Sequence, residues 1–561
     1  MKLIKILTLV LSLTIYGDAI SQVNYFDNAK EIYFQFELES TDEINALSRI
    51  ISIDNVIDGR IVKAYANAKE FNAFLEQGIE YTVLQHPGTL IRNPRMLDQV
   101  NIREITEWDF YPTYDAYLDM MEQFVNDYPD LCEIHHIGYT YEEREIIAVK
   151  ISDNVGEEEN EPEFFYTSTM HGDETTGYVL MLRFIDYLLS NYGDDPRITN
   201  MVNEIEIYIN PLANPDGTYA SGNNSVYGAT RYNAHLVDLN RNFPDPEDGP
   251  HPDGNPWQIE TMAFMDFAEE HNLVMSANIH GGAEVCNYPW DTWPRLAADD
   301  DWWVFVCREY ADTVHANSIG TNYMTGFNNG ITNGYAWYTI AGGRQDYHTY
   351  FHQGREFTLE ISNTKLLPAS QLPAHWDYNY RSFLNYLEQV LYGVRGIITD
   401  DSSGDPIKAE VYILNHEEDS SWVYSHLAPG NYHRVIYEGT YDIRYSAPGY
   451  FPQVFEDLEV DNYSTVVLNV QLVPQFSGFA EQTFSSVKVF PNPVSSNYFQ
   501  LTSTLGIEKV RVIDISGKLV LEQEFADEER VFINVSHLPS NIYAVQVYTG
   551  GDVKTMKVKI L

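Results

Sequence analysis

Short apolar strands alternate with amphipathic helices between residues 113 and 392, and this alternation constrains the fold more than any other feature of the chain. Strand patterns lie at residues 164–168, 204–209, 273–278 and 357–361, and helical patterns lie at 113–127, 177–191 and 375–391. Such an order is typical of a protein built on a sheet that is covered by helices. We therefore predict an α/β fold for this stretch.

A smaller unit precedes it. In residues 31–38 the apolar side chains of Ile32, Phe34 and Phe36 alternate with polar ones, which is the period of a β-strand. Further strands are predicted over 56–65 and 81–84, with helices over 41–51 and 68–77. We interpret residues 22–98 as a small α+β domain that resembles a prosegment.

The sequence pattern changes after Gly393. Short strands are now broken by clusters of turn residues at 400–406, 428–431 and 447–449, which is typical of a β-sandwich. A linker at 475–486 leads to a second all-β stretch. We predict two β-sandwich domains, at residues 393–474 and 487–561.

The N-terminus indicates export. Lys2 and Lys5 precede an apolar run over residues 6–16, and the small residues Ala19 and Ser21 follow it. This order is that of a secretory signal peptide, and the run is too short to span a bilayer of about 30 Å. We predict a signal peptide at residues 1–21 and no transmembrane segment.

Charge and cysteine content exclude two kinds of site. The chain has 34 Lys and Arg against 82 Asp and Glu, and its net charge of −48 would repel nucleic acid. Its three cysteines are too few for a thiolate-rich metal site, so a metal must be bound by histidines and carboxylates. Cys286 and Cys307 could form a disulfide or remain buried thiols.

Four side chains stand where a sheet protein binds its ligands. His171 and Glu174 follow the strand at 164–168, and their spacing lets both face one Zn²⁺. His280 leaves another strand as a possible third ligand, and the apolar strand at 357–361 contains Glu360. Such pairs also arise by chance among 16 histidines and 82 acidic residues, so each could instead be a surface or structural group. A set of three ligands would leave an open position for water, as catalytic zinc requires.

Taken in order, these elements resemble the zinc metallocarboxypeptidases, most closely the branch that contains carboxypeptidases D, E and N. The resemblance spans residues 113–392 and implies a mixed sheet with helices on both faces. It rests on six motifs in family order: His171 to Glu174, Asn214-Pro215-Asp216-Gly217, Asp238 to Phe243, His280 to Asp291, Gly330 to Asp346 and Thr358 to Glu360.

The resemblance implies one zinc ion per chain, held by His171, Glu174 and His280. This ligand set is already known from carboxypeptidase A. It also implies that Glu360 is the general base of a zinc-activated water, and that it passes the proton to the leaving amine.

The same resemblance assigns substrate contacts. It implies that Arg231 polarises the scissile carbonyl and that Tyr338 closes over the substrate. Asn240 and Arg241 match the pair that binds the terminal carboxylate, since a guanidinium fits a carboxylate through two parallel hydrogen bonds. The implied activity is removal of the C-terminal residue from peptides or proteins.

Two further residues suggest a preference at that position. Asp291 and Gln345 are similar to the residues that contact a basic terminal side chain in this branch, which implies a preference for Lys or Arg. Arg344 stands where the family often has an apolar residue, and its charge could weaken the preference.

The flanking domains resemble other families. Residues 393–474 resemble the transthyretin-like domain of this branch, and residues 487–561 resemble the type IX secretion sorting domain through motifs such as Val489-Phe490-Pro491-Asn492-Pro493. We expect a monomer that passes through the periplasm and outer membrane, engages the type IX machinery, and is secreted or held at the cell surface.

Two alternatives remain open. A peptidase of this fold could act on peptidoglycan stem peptides, which also end in a free carboxylate. The chain could also be a non-catalytic binding protein at the cell surface.

Overall fold

A computed structural model describes residues 25–27, 29–427, 429–475, 487–549 and 552–561. The chain divides into two compact units, the first ending at Pro474 and the second beginning at Gln475. The predicted signal peptide at 1–21 and all of the predicted linker except Gln475 lie outside the described residues. Within the described part of the chain, no helix combines the length and the hydropathy needed to cross a membrane.

The first unit begins with a four-stranded antiparallel sheet in the order β2-β3-β1-β4, which we call the N-terminal domain (residues 31–84). Phe34 and Phe74 are fully buried in its core. Its strands and helices are β1 (Glu31–Glu37), α1 (Thr41–Leu47), β2 (Ser52–Ile57), β3 (Ile61–Asn67), α2 (Ala68–Leu75) and β4 (Tyr81–Leu84).

The prediction of one strand over residues 56–65 is wrong. The segment is a hairpin of β2 and β3, and the chain reverses at Asp58 and Gly59, whose φ angles are 51° and 68°. An Asp-Gly pair tolerates this left-handed conformation and is a strong hairpin signal. The apolar pattern on both sides of it concealed the turn.

A mixed sheet of eight strands forms the centre of the first unit, in the order β13-β12-β14-β11-β9-β10-β8-β7. The four middle strands are parallel, and the predicted strands at 164–168, 204–209, 273–278 and 357–361 are among them. The strands of this region are β5 (Met96–Leu97), β6 (Tyr111–Pro112), β7 (Cys132–Tyr139), β8 (Glu145–Ile151), β9 (Glu163–Ser168), β10 (Glu206–Asn210), β11 (Leu273–His280), β12 (Glu284–Tyr288), β13 (Ile331–Asn333) and β14 (Arg355–Ile361).

Helices cover both faces of this sheet. Along β9, Phe164 and Tyr166 pack into the larger of the two apolar clusters that flank the sheet. Phe165 packs on the other side against Phe264 and Phe267 of the helix Ile259–Glu270. The predicted two-sided α/β arrangement is therefore confirmed. The helices are α3 (Tyr114–Asp127), α4 (Thr176–Asn191), α5 (Pro196–Glu204), α6 (Pro215–Thr218), α7 (Ile259–Glu270), α8 (Asp300–Asn317), α9 (Gly334–Trp337), α10 (Arg344–Phe351) and α11 (Leu372–Glu388).

All three cysteines are buried free thiols. The thiols of Cys286 and Cys307 interact, and burial together with this neighbour holds the pKa of Cys307 well above its ordinary value. Of the two possibilities for this pair, the structure therefore has the free thiols.

Residues 393–474 form two four-stranded β-sheets around a buried apolar core. Their strands are β15 (Gly393–Asp400), β16 (Glu410–Ile413), β17 (Val423–Tyr424), β18 (Asn431–Arg434), β19 (Gly439–Ser446), β20 (Gln453–Val460), β21 (Thr465–Val467) and β22 (Val470–Leu472). The second unit is all-β with its own core, and contains β23 (Lys488–Phe490), β24 (Tyr498–Ile513), β25 (Leu519–Asn534), β26 (Asn541–Thr549) and β27 (Asp552–Ile560).

A buried ion network joins the two sheets of residues 393–474 to the central sheet. Asp299 accepts hydrogen bonds from Arg355 at 2.7 Å and from Arg434 at 2.8 Å, and Arg434 also binds Glu417 at 3.0 Å. Although burial opposes it, the charges of Arg434 and Arg355 hold the pKa of Asp299 well below its ordinary value. The Asp299 carboxylate is therefore the negative charge that both guanidinium groups share.

Replacing Asp299 with asparagine is expected to destabilise the first unit by about 3–5 kcal/mol, because two buried guanidinium groups lose their shared counter-charge. Urea unfolding followed by tryptophan fluorescence measures this loss. The matched control is Asp419→Asn, which breaks an exposed ion pair with Arg295 and should cost at most about 1 kcal/mol. Equal losses in the two variants would contradict the prediction.

Candidate active site

Three predicted ligands converge at the carboxyl ends of neighbouring parallel strands. His171 and Glu174 lie in the turn between β9 and α4, and His280 is the last residue of β11. Nδ1 of His171 lies 2.8 Å from Oε1 of Glu174 and 3.0 Å from Nδ1 of His280, which lies 2.8 Å from Oε2 of Glu174. One ligand atom from each residue thus lies within 4.8 Å of the others.

Asp238 orients the first histidine. Nε2 of His171 donates to Oδ1 of Asp238 at 3.0 Å, which leaves Nδ1 directed toward Glu174. Although burial opposes it, the charges of Arg231 and His171 hold the pKa of Asp238 well below its ordinary value. A carboxylate behind a histidine in this way fixes the ring for metal binding.

The three residues fit a zinc ion. Burial lowers the pKa of His280 to about 4, so this imidazole is neutral at pH 7, as a ligand must be. Two imidazole nitrogens and one carboxylate are the donors that zinc prefers, and three protein ligands leave a further position open.

Two buried cations flank the three converging residues. Nζ of Lys365 donates to Oε1 of Glu174 at 2.5 Å and to the carbonyl of Gly281 at 2.6 Å. Nη1 of Arg231 donates to the same Glu174 oxygen at 3.3 Å. Burial would raise the pKa of Glu174, but the charges of His171 and Lys365 outweigh it and hold that pKa well below its ordinary value. Glu174 is therefore ionised.

Glu360 faces the site from β14. It pairs with His280 in the parallel register of β11 and β14. Its Oε2 is buried and has no hydrogen-bond partner among the described residues. Burial raises the pKa of Glu360 well above its ordinary value, and the nearby charge of Glu174 adds to the rise.

Arg241, Asn240 and Tyr338 lie together near this centre. Asn240 and Arg241 belong to a 3₁₀ turn (Leu239–Arg241), and Oδ1 of Asn240 accepts from the backbone N–H of Arg344 at 2.9 Å. Nη2 of Arg241 and the hydroxyl of Tyr338 donate to one acceptor, the carbonyl of Ile53, at 3.3 and 3.1 Å. Burial raises the pKa of Tyr338 to about 12, so its hydroxyl stays a donor at neutral pH.

Asp291 is a buried carboxylate near Asn240 and Arg241. Nδ2 of Asn287 donates to it at 3.0 Å, and burial raises its pKa to about 6. A Cβ built on Gly334 would clash with Oδ1 of Asp291, so this carboxylate packs against a position that must remain glycine. Oε1 of Gln345 accepts from the N–H of Thr358 at 2.7 Å.

Arg344 does not pair with Asp291. Its guanidinium binds Glu356 through Nε at 2.9 Å and Nη2 at 2.8 Å. The charge that could weaken a basic preference is thus balanced by a carboxylate of its own.

Comparisons with known proteins decide the family. Residues 117–382 match the family described as "Zinc carboxypeptidase". Carboxypeptidase M from Mus musculus is 34% identical over 355 residues, which cover 60% of this chain and 77% of that protein. The chain belongs to the zinc carboxypeptidase family.

Other matches show the fold of this family member and how much of its relatives the chain spans. Carboxypeptidase D from Anas platyrhynchos is 34% identical over 380 residues, and the chain spans only about a quarter of that protein's length (26%). The crystal structure of thrombin activatable fibrinolysis inhibitor matches with a TM-score of 0.50 at 19% identity, over 64% of this chain and 99% of that one. This structural likeness shows the fold alone.

A second family model matches the last residues of the chain. Residues 488–561 match the family described as "Secretion system C-terminal sorting domain". The match confirms the predicted type IX sorting domain and the predicted secreted or cell-surface location.

Sequence reasoning missed two residues of the site. Asp238 is the first residue of the motif Asp238 to Phe243 and lies between Arg231 and Asn240 in the sequence. Its place in this motif was the signal that could have identified it as a residue of the site. Lys365 lies in a loop five residues after Glu360, where no spacing pattern indicates a role.

Proposed function

We propose that this protein is an exported zinc carboxypeptidase that removes the C-terminal residue of peptides or proteins and prefers Lys or Arg there. Its membership of the zinc carboxypeptidase family supports the reaction class. The observation that carries the proposal is the convergence of His171, Glu174 and His280 beside the buried cations Arg231 and Arg241.

The zinc ligands would be Nδ1 of both histidines and the carboxylate of Glu174. A bound zinc ion supplies a Lewis acid for the scissile carbonyl and makes water more acidic. The hydrogen bond from His171 to Asp238 supports this ligand geometry, since it keeps the ring from rotating.

Glu360 would move the proton. Its place next to His280 on the adjacent strand, and its oxygen without a partner among the described residues, support contact with an attacking water. A raised pKa suits a group that first takes a proton from water and then donates it to the leaving amine.

Arg231 would stabilise the negative charge that develops on the scissile carbonyl oxygen. Its guanidinium is 2% exposed and is oriented by Asp238 at 3.0 Å, so it is already in place before reaction. A positioned cation in a site with little water is more effective than one that must reorganise.

Asn240 and Arg241 would bind the terminal carboxylate of the substrate, and Tyr338 would close over it. The donors of Arg241 and Tyr338 meet at one acceptor oxygen, which supports their joint action on a carboxylate. Nε of Arg241 is buried without a partner in the described part of the chain, so this guanidinium has a further donor to offer.

The preference for a basic residue would come from Asp291 and Gln345. Asp291 is 2% exposed and receives one hydrogen bond from the side chain of Asn287. Arg344, whose charge could have weakened a basic preference, is paired with Glu356 instead. A buried carboxylate that forms no ion pair with the described residues favours a Lys or Arg side chain over an apolar one.

Asp291→Asn is expected to lower kcat/KM for peptides ending in Arg or Lys by at least about 30-fold, since a buried charge pair of about 2 kcal/mol or more is lost. Peptides ending in Phe should change less than about threefold. The measurement is hydrolysis of one peptide series varied only at its last residue, with the chain intact and with the N-terminal domain released.

Asp312→Asn is the matched control, because Asp312 is exposed on α8 and its charge lies outside the site. An equal loss for Arg and Phe peptides would contradict the role of Asp291. The same series should include a peptide ending in diaminopimelate, because a strong preference for it would favour the peptidoglycan alternative.

The remaining assignments are also proposals. We assign residues 22–98 to a prosegment-like domain, 99–392 to the catalytic domain, 393–474 to a transthyretin-like domain and 487–561 to the sorting domain. The sorting domain would engage the type IX machinery, and the protein would act as a monomer with one zinc ion.

A further inference from the structure

The loop between β8 and β9 (residues 152–162) gathers three carboxylates outside the proposed zinc centre. One carboxylate oxygen each from Asp153, Glu159 and Glu161 lies within 4.8 Å of the other two. Oxygens bound to one Ca²⁺ lie about 2.3–2.6 Å from it, so two of them can be at most about 5 Å apart. The spacing of the three oxygens therefore fits a single calcium ion.

These three residues, which we call the loop carboxylates, form no ion pair with a cationic side chain among the residues that the structure describes. The cations beside the loop have other partners: Lys150 binds Glu206 at 3.0 Å, and Arg395 binds Glu204 at 3.4 Å. The protein thus gathers negative charge here without balancing it.

Proximity makes it costly for all three loop carboxylates to be ionised at once. Burial and the charges of Glu159 and Asp153 raise the pKa of Glu161 to about 8, and burial raises that of Asp153 as well. Oε2 of Glu161 and Oδ1 of Asp153 are buried atoms that accept no hydrogen bond from any described residue. Both oxygens are therefore available to a ligand that the chain itself does not supply.

A buried amide from another part of the chain lies against the same loop. Asn431 of β18 is only 4% exposed, and its Nδ2 donates to the backbone carbonyl of Glu161 at 3.3 Å. Its Oδ1 is buried and has no hydrogen-bond partner in the described part of the chain. Leaving a buried acceptor unpaired costs free energy, and an amide oxygen is one of the ligands that Ca²⁺ takes.

The amide and the carboxylates share one space. Glu159, Glu161 and Asn431 line a cavity of about 410 Å³ between the loop and the sheet that contains β15 and β18. Ca²⁺ takes six to eight oxygen ligands in a flexible geometry, which carboxylates, an amide oxygen and water in this cavity can supply. The three converging ligand atoms are all carboxylate oxygens, which favour a hard cation over zinc.

We propose that this protein binds a calcium ion through Asp153, Glu159 and Glu161, with the amide oxygen of Asn431, between the β8–β9 loop and the sheets of residues 393–474. The ion offsets the repulsion among the loop carboxylates and ties the loop to β18. Calcium sites of extracellular modules have Kd values of about 0.1–1 mM, which suits an exported protein. This inference does not depend on the proposed peptidase reaction.

The test is calcium binding by the full chain with zinc supplied throughout. Equilibrium dialysis against radioactive Ca²⁺, in buffer freed of other divalent cations, measures the number of ions bound and their Kd. Thermal unfolding followed by tryptophan fluorescence, with 10 mM CaCl₂ or 10 mM MgCl₂, measures stabilisation at equal ionic strength. We expect one Ca²⁺ with a Kd of about 0.1–1 mM and a rise in Tm of about 2–5 °C with CaCl₂.

Glu161→Gln and, independently, Asp153→Asn should weaken this binding at least about tenfold and remove the rise in Tm, because each takes a charge from the site. Without calcium, Glu161→Gln should melt no lower than the unsubstituted chain, since it relieves repulsion. A carboxylate with only a structural role would lower the Tm under that condition. Glu157→Gln is the matched control, because Glu157 is exposed in the same loop and should leave binding unchanged.

Hydrogen exchange locates the ion. Calcium should slow exchange at residues 152–162 in the unsubstituted chain and in Glu157→Gln, and should have no effect there in Glu161→Gln. The proposal is overturned if no ion binds, if exchange in this loop ignores calcium, or if Glu161→Gln binds as tightly as Glu157→Gln. Equal stabilisation by MgCl₂ and CaCl₂ would overturn the assignment to calcium.

Discussion

Replacing Glu360 with glutamine is expected to lower kcat by about 10²–10⁴-fold, the usual contribution of a positioned general acid or base. Glutamine keeps the size and one hydrogen-bond acceptor of glutamate but cannot take a proton from water. Because Glu360 is not among the three proposed ligands, the zinc content should stay the same. Steady-state hydrolysis of an Arg-ending peptide and metal analysis of the same preparation measure both quantities.

Two control variants make this result specific. His280→Ala removes a proposed ligand and should lose zinc together with activity. Glu269→Gln changes an exposed glutamate of α7 and should alter neither. Full activity in Glu360→Gln would refute the assigned base, and loss of zinc in that variant would assign Glu360 to the metal site.

The parts of the fold that follow from periodicity were predictable. The buried strands β9, β11 and β14 are rich in apolar and aromatic residues, and the pattern located each of them to within two residues at either end. Their parallel order also explains why His171, His280 and Glu360 meet, since parallel strands end at the same edge of a sheet. Pairing across the sheet could not be predicted, because it depends on contacts between distant segments.

The contacts of the N-terminal domain could not be predicted in this way. Asp54 and Lys365 are 311 positions apart in the numbering of the chain, and neither lies in a pattern that indicates a partner. The sequence contains the Asp-Gly turn signal directly after Ile57, and this signal would have identified β2 as a strand separate from β3. Even then, the bulge that directs Asp54 toward the site is visible only in the structure.

The second large effect concerns the end of the substrate. Arg241→Gln is expected to lower kcat/KM for peptides with a free C-terminal carboxylate by about 30- to 5,000-fold, which corresponds to about 2–5 kcal/mol. The reason is that the buried carboxylate of the substrate loses its charged partner. Arg241→Lys should recover only part of this loss, since an ammonium group cannot form two parallel hydrogen bonds with a carboxylate. Peptides that differ only in a free or amidated C-terminus provide the measurement.

Amidated peptides identify the cause of the loss, because they lack the charge that Arg241 is proposed to bind. The unsubstituted protein should prefer the free acid strongly, and Arg241→Gln should reduce this preference by lowering only the rate on the acid. Since Arg241 also donates to the Ile53 carbonyl, the comparison must be made after the N-terminal domain has been released. If the variant then keeps the full preference for the free acid, the carboxylate is bound by other groups and Arg241 serves only to hold the domain.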